Sequence, residues 1–200
     1  MTELAGPTRQ EMSNRDVAQI RVATPDDVHG LGSMHVASWR ETYAGVLPDK
    51  MLSSLTVEGR AAAWAQIMGH PPTPGSTVIY LAECGGTIIG FGSCGAQRSE
   101  NLKDKGFDGE VSAIYVLREF QKRRIGTRLF GVMSMDLIGR GFNAVALWVL
   151  RDNMRARRFY ERYAGQVIAE REDVRDGVVL VELAYGWPDL KELDGLVAHE

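Results

Sequence analysis

Seven residues, Gln121-Lys122-Arg123-Arg124-Ile125-Gly126-Thr127, are suited to holding an anion. They lie between a stretch with strand character and one with helical character. Upstream, Val111, Ala113, Tyr115 and Leu117 alternate with Ser112, Ile114 and Val116, and β-branched and aromatic residues are frequent. Downstream, Ile125, Leu129, Val132 and Met133 recur at helical spacing. A turn that opens a helix presents backbone N–H groups with no intrahelical partner, at the positive end of the helix dipole. Such a site binds phosphate or pyrophosphate. Arg118, Lys122, Arg123, Arg124 and Arg128 surround it with positive charge. The same residues would also serve as a solvated basic helix start, so the remainder of the chain must decide.

Two other stretches carry polar groups at suggestive positions. Asn153-Met154-Arg155-Ala156-Arg157-Arg158-Phe159-Tyr160-Glu161 reads as a helix capped by Asn153 or Asp152, with an aromatic pair on it. Trp39-Arg40-Glu41-Thr42-Tyr43-Ala44-Gly45-Val46-Leu47-Pro48 ends an earlier helix and leads into a loop. His35 shares a helical face with Val28, Leu31 and Trp39. A histidine so placed is either a hydrogen-bonded core residue or a pocket residue.

These three stretches together resemble the GNAT-family N-acetyltransferases. The family's acetyl-CoA motif, Gln/Arg-x-x-Gly-x-Gly/Ala, is matched at Gln121 and Gly126, with Arg124 where the first glycine usually stands. The stretch from Asn153 to Glu161 is similar to a second signature, Asn-x-x-Ala-x-x-(apolar)-Tyr-Glu, at every characteristic position. The Trp39–Pro48 stretch is similar to Trp-Arg-x-x-Tyr-x-Gly-x-x-Pro, which in many bacterial members forms a wall of the acceptor pocket. The likeness spans roughly residues 18–185.

The resemblance implies acetyl-CoA as co-substrate, no metal, and transfer of the acetyl group to a primary amine of a small molecule or peptide by direct attack. Its alternative is a module that binds acyl-CoA without catalysis. Backbone groups of Ile114, Tyr115 and Val116 are expected to pair with the pantetheine, as if it added a strand. The N–H groups of Lys122, Arg123, Arg124, Ile125, Gly126 and Thr127 are expected to hold the pyrophosphate. Arg124 either narrows that turn or adds a guanidinium contact. Asn153 is a cofactor contact or a helix cap, and Lys122, Arg123 and Arg157 are candidates for the ribose phosphate. Tyr160 is carried over as the acid that protonates the departing thiolate, a role suited to a phenol with an ordinary pKa of about 10. Trp39, Tyr43 and His35 are carried over to the acceptor side. The base that frees the amine stays open among Glu110, Asp108, Glu83, His35 and water. Trp148 occupies the position, five residues before Asn153, where some relatives keep a glutamate.

The element order agrees with this likeness. Ala18–Ala23 reads as a strand, and Thr24-Pro25-Asp26-Asp27 starts a helix that runs to Trp39 or Thr42. Asp49–Leu55 is a helical turn, and Val57–Met68 a helix with Trp64 inward. Thr77–Glu83 and Thr87–Ala96 are strands joined by a Cys84-Gly85-Gly86 turn. Residues 97–108 read as a polar loop. A helix to Ile138 follows the basic turn, and then come a strand at Ala144–Leu150 and a helix at Met154–Tyr163. Gln166–Val174 and Val178–Tyr185 pair through Arg175-Asp176-Gly177. The fold class is therefore α/β (α+β): a GNAT-like, mixed, mostly antiparallel seven-stranded sheet with helices on both faces. Residues 17–186 form one domain, 1–16 a flexible leader and 187–200 an acidic tail.

Composition bounds the remaining possibilities. The 200 residues are 44% hydrophobic and 24% charged, values of a globular chain. A net charge of −3 gives no general affinity for nucleic acid or an anionic membrane. Cys84 and Cys94 stand in strands without metal-ligand spacing, so no zinc site is legible. No apolar run reaches membrane-spanning length, and the polar N-terminus is no signal peptide. The protein is expected to be cytoplasmic, with a homodimer compatible with the resemblance.

Overall fold

A computed structural model describes residues 17–175 and 177–196. The expected leader lies outside these residues, as does Asp176 of the last hairpin turn. Strand β1 (Gln19–Val22) precedes a 3-10 turn at Pro25–Asp27 and helix α1 (Val28–Tyr43). The Asp27 carboxylate accepts from the Thr24 N–H at 2.7 Å, which fixes this helix entry. Helices α2 (Asp49–Ser53) and α3 (Val57–Met68) follow, and Thr56 Oγ1 caps α3 by accepting from Gly59 N–H.

Strands β2 (Val78–Cys84) and β3 (Thr87–Ala96) form a hairpin whose turn residues, Gly85 and Gly86, have φ of +57° and +79°. Two consecutive positive φ values match the twist of the strands they join and suit glycine. Helix α4 (Glu100–Asp104), strand β4 (Gly109–Val116), helix α5 (Ile125–Gly139), strand β5 (Val145–Leu150) and helix α6 (Met154–Arg162) come next. Strands β6 (Gln166–Arg175) and β7 (Val178–Trp187) complete the sheet.

The sheet order is β1-β2-β3-β4-β5-β7-β6. β4 and β5 run parallel, and each of the other neighbouring pairs is antiparallel. Leu31, Met34 and Trp64 from α1 and α3 pack on Leu81 and Phe91 at one face. Phe130, Met133 and Phe159 from α5 and α6 pack on Val145, Leu147 and Tyr185 at the other. Among the described residues no helix is long and apolar enough to cross a membrane.

Two segments differ from the sequence reading. The polar loop at 97–108 contains α4, because Leu102 is fully buried and Phe107 nearly so, and together they pin the polar residues around them. The stretch read as an acidic tail starts inside β7, which continues through buried Trp187, and goes on as a 3-10 turn over Leu190–Leu196. Its leucines at 190 and 193 recur at the 3-10 period, so both face the core with Trp187 and Leu137. Leu190→Ala should therefore cost about 2–4 kcal/mol, read as a lower urea midpoint with an unchanged slope. A surface tail would give no change.

Candidate active site

β4 and β5 are paired at Gly109–Val145 and Glu110–Ala146 and not beyond. In the β3–β4 ladder, Ser93 faces Ala113 and Cys94 faces Val111, so Ser112 is an extra residue on β4. A bulge of this kind bends its strand and interrupts pairing. From here the two strands separate, and among the described residues the β5-side edge of β4 has no strand partner. A cavity of about 280 Å³ occupies the gap. Side chains alternate between faces along a strand, so the cavity passes through the sheet. Ile114, Val149, Asn153, Ala156 and Tyr160 line it on the α5–α6 side. Trp39, Tyr43, Tyr115, Trp148, Leu150 and Glu182 line it on the α1 side.

The basic turn lies at the end of β4, where α5 begins. Lys122 and Arg124 have φ of 62° and 60°, and Arg124 is the residue that caps α5. Arg124 thus adopts the left-handed conformation that glycine takes without cost, and the turn keeps its shape with a side chain in place. Gln121 Nε2 donates to the Val116 carbonyl at 2.7 Å, tying the turn back to the strand. Its Oε1 is buried with no hydrogen-bond partner among the described residues. Gly126 does not answer to internal packing: a Cβ there would meet only Phe159, at an ordinary 3.7 Å. Thr127 Oγ1 and the Tyr163 hydroxyl are 2.7 Å apart and link α5 to the end of α6.

The surrounding cations divide into two groups. Lys122 and Arg123 are exposed, with Arg123 over the Phe120 ring. The Arg118 guanidinium donates to the Glu41 carbonyl and that of Arg128 to the Ala18 carbonyl. Arg157 is also held. Its Nε donates to the Tyr185 hydroxyl at 3.2 Å and its Nη1 to the Arg151 carbonyl at 3.0 Å. These hydrogen bonds tie Arg157 to Tyr185 on β7 and to the residues before α6.

Asn153 both caps α6 and faces the cavity. Its Oδ1 accepts from the Ala156 N–H at 3.1 Å, which leaves the amide NH2 to the cavity side. Tyr160, two turns on, is 7% exposed and packs against Tyr185 and Trp187. Burial, with Tyr43 nearby, raises its phenol well above the ordinary value, so it stays protonated. Phe159, its neighbour, is half-buried and packs edge-on against Phe130. Across the gap the Tyr43 and Tyr115 hydroxyls share a hydrogen bond of 3.0 Å.

Glu110 lines the cavity but is not a free base. Its carboxylate accepts from Arg98 Nε, Nη2 and backbone N–H at 3.0, 2.6 and 3.0 Å. Asp108, another candidate, accepts from the Asn143 and Ala144 backbone and closes the base of the sheet. Glu83 is in the Arg21–Asp27 cluster at the opposite side of the sheet. His35 lies outside the cavity. Trp64 Nε1–H donates to its Nδ1 at 3.1 Å, and Trp39, Phe91 and Tyr115 rings surround it. His35 is buried, and its four aromatic neighbours, Trp39, Trp64, Phe91 and Tyr115, enclose it.

Sequence reasoning missed Arg98, Arg171 and Glu182, all of which line the cavity. Glu182 is buried, and Arg171 donates to it from Nε at 2.7 Å. Arg171 also lies over the Trp148 ring, 4.1 Å from its centroid. This pair did leave a signal. An acid at an inward position of β7 needs a partner, and the hairpin register across Arg175–Val178 puts Arg171 opposite Glu182. Arg98 had none, because the length of the loop hides its return to β4.

Comparison with known proteins decides the family. A model of the acetyltransferase (GNAT) family matches residues 37–165. The chain belongs to the GNAT family of acetyltransferases. It is 33% identical over 180 residues to the uncharacterized N-acetyltransferase YuaI of Bacillus subtilis, covering 89% of this chain and 97% of that one. Its fold is that of the PaiA N-acetyltransferase of Thermoplasma acidophilum, solved with coenzyme A. The TM-score is 0.67 at 19% identity, over 86% of this chain and 99% of the other. The YncA acetyltransferase of Salmonella typhimurium, solved with acetyl-CoA, superposes with a TM-score of 0.61 at 17% identity, over 86% and 94%. The acyltransferase assignment of this GNAT chain and its seven-stranded mixed sheet thus agree with the sequence reading.

Two predictions follow from the site's packing. Burial and the nearby Arg60 charge hold the His35 pKa down to about 3, from 6.5 when unfolded. The folded chain then binds fewer protons below pH 6.5, so stability is lost as pH falls through that window. Between pH 7.5 and 5 this loss should be about 2 kcal/mol. His35→Gln, which keeps an acceptor for Trp64, should flatten that part of the urea midpoint against pH. Arg124→Gly removes the left-handed strain but loosens the unfolded chain, for a net gain of about 0.5–1 kcal/mol. A lower melting temperature would show that the side chain, not the turn, is the stabilising element.

Proposed function

We propose that this GNAT protein transfers the acetyl group of acetyl-CoA to a primary amine by direct attack within the β4–β5 gap. The observation that carries this reading is Tyr160: a buried, protonated phenol on the wall of a gap whose β4 edge is open. That edge, at Ile114, Tyr115 and Val116, offers backbone groups to the pantetheine amides as an adjacent strand would. The N–H groups of Lys122–Thr127 and the start of α5 hold the pyrophosphate, with Lys122 and Arg123 beside it. Gly126, which packing does not require, leaves room for the phosphates. Asn153 offers its amide NH2 to the same ligand while capping α6.

Acetyl-CoA supplies an activated acyl group, and the protein's task is to orient it and manage protons. The amine nitrogen attacks the thioester carbonyl, forming the C–N bond as the C–S bond breaks. Tyr160 donates its proton toward the departing sulfur. The attacking amine loses one proton, and one proton returns through water to the Tyr160 phenolate, so the enzyme is restored and the charge is unchanged. We assign the amine proton to water in the cavity, because Glu110 already accepts three hydrogen bonds from Arg98. The exposed edge strand β6, with Val167 and Val174 on its surface, supports the homodimer, and a cytoplasmic location remains the reading for the chain.

Tyr160→Phe should lower kcat by about tenfold to a hundredfold and leave coenzyme A affinity, measured by calorimetry, within about twofold. Full activity in this variant would remove Tyr160 from the mechanism.

A further inference from the structure

The α1 side of the cavity has two guanidiniums fixed at its rim. Arg98 is paired in a bidentate manner with Glu110, and Arg171 is paired with Glu182 through Nε and Nη2. The Glu110 and Glu182 side chains are 10% and 11% exposed, while those of Arg98 and Arg171 are 69% and 44% exposed. Each arginine is thus anchored from within and open outward. The Nη1 group of each has no partner among the described residues. Stacking on Trp148 restricts Arg171 further. A guanidinium held in this way loses little freedom when it binds an oxyanion, and its planar donors match a carboxylate.

The carboxylates do not offer the reverse. Each already receives two or more hydrogen bonds from its arginine, and a polycationic amine entering here would meet both guanidiniums first. The remaining wall, Trp39, Tyr43, Leu47 and Leu150, is apolar or aromatic. Resting on the acetyl-transfer reading above, we infer that the acceptor is a small amine that also carries a carboxylate, an amino acid with an apolar side chain. Its carboxylate meets Arg98 or Arg171, its side chain lies on Trp39 and Leu150, and its amine points through the gap toward Tyr160.

The test compares leucine, methionine and phenylalanine with their decarboxylated amines and with spermidine. Thiol release from acetyl-CoA is measured, and rates are expressed per unprotonated amine. An amino acid should exceed its decarboxylated partner in kcat/KM by about tenfold or more. In the doubly neutral variant Arg171→Gln/Glu182→Gln, which leaves no buried charge unpaired, that ratio should fall below about threefold. Equal or better use of the decarboxylated amines or spermidine overturns this inference and leaves the acetyl-transfer reading standing. Thiol release with none of them, while calorimetry shows coenzyme A bound, overturns the transfer reading and the acceptor class with it.

Discussion

The parting of β4 from β5 is the constraint on which the site depends. Two neighbouring strands would ordinarily complete their ladder, because an unpaired backbone group away from water is costly. Here the ladder ends after Glu110 and Ala146. The Ser112 bulge breaks the rhythm of β4, and the packing on each face holds the halves apart. On one face α5 and α6 bridge the gap and are joined by Thr127 and Tyr163. On the other, Tyr43, Leu47 and Leu52 pack on Leu150 and Leu180. The wedge is thus maintained by hydrophobic contacts made elsewhere, and the open β4 edge is available to a ligand with strand-like amides.

The turn before α5 shows the same division between local cost and global gain. Lys122 and Arg124 both sit in left-handed backbone, about 1–2 kcal/mol each for a residue with a Cβ. Buried Ile125 immediately follows, packed with Leu129 on Ala82 and Ile89, and Gln121 holds the other end. The anchored residues on both sides impose the conformation of the strained ones between them. The N–H groups of the turn are thereby oriented before any anion arrives, so the ordering cost does not fall on binding.

The fold was legible where periodicity and turn chemistry agreed. Val57–Met68 and Thr87–Ala96 begin and end where expected, because Thr56 caps the first and Gly85-Gly86 opens the second. Hydrophobic spacing was harder to see where few apolar residues do much work: Leu102 and Phe107 anchor a loop otherwise polar, and Leu190 and Leu193 sit in an acidic sequence. On the site, spacing along one helix located Asn153 and Tyr160. The same spacing could not tell whether His35 faced a cavity or a core, nor that Arg157 would turn back on Tyr185. Those outcomes depend on which elements lie opposite, and that information is distributed over residues far apart in the chain.

The two ion pairs of the cavity are informative because stability gives little reason for them. In each pair the carboxylate is taken out of water while the arginine stays exposed; burying a charge is costly, and apolar residues of similar volume often do as well or better. The chain already fills comparable positions that way: Leu180 and Ala184, the neighbours of Glu182 on its face of β7, are apolar and buried. A charge kept at Glu182 therefore answers to something other than the core. Its measurable consequence in the structure is the position of Arg171, held over Trp148 at the rim. The same holds for Glu110, whose three hydrogen bonds all go to Arg98. In each pair the buried acid fixes the exposed base, and the cavity presents guanidinium to whatever enters it.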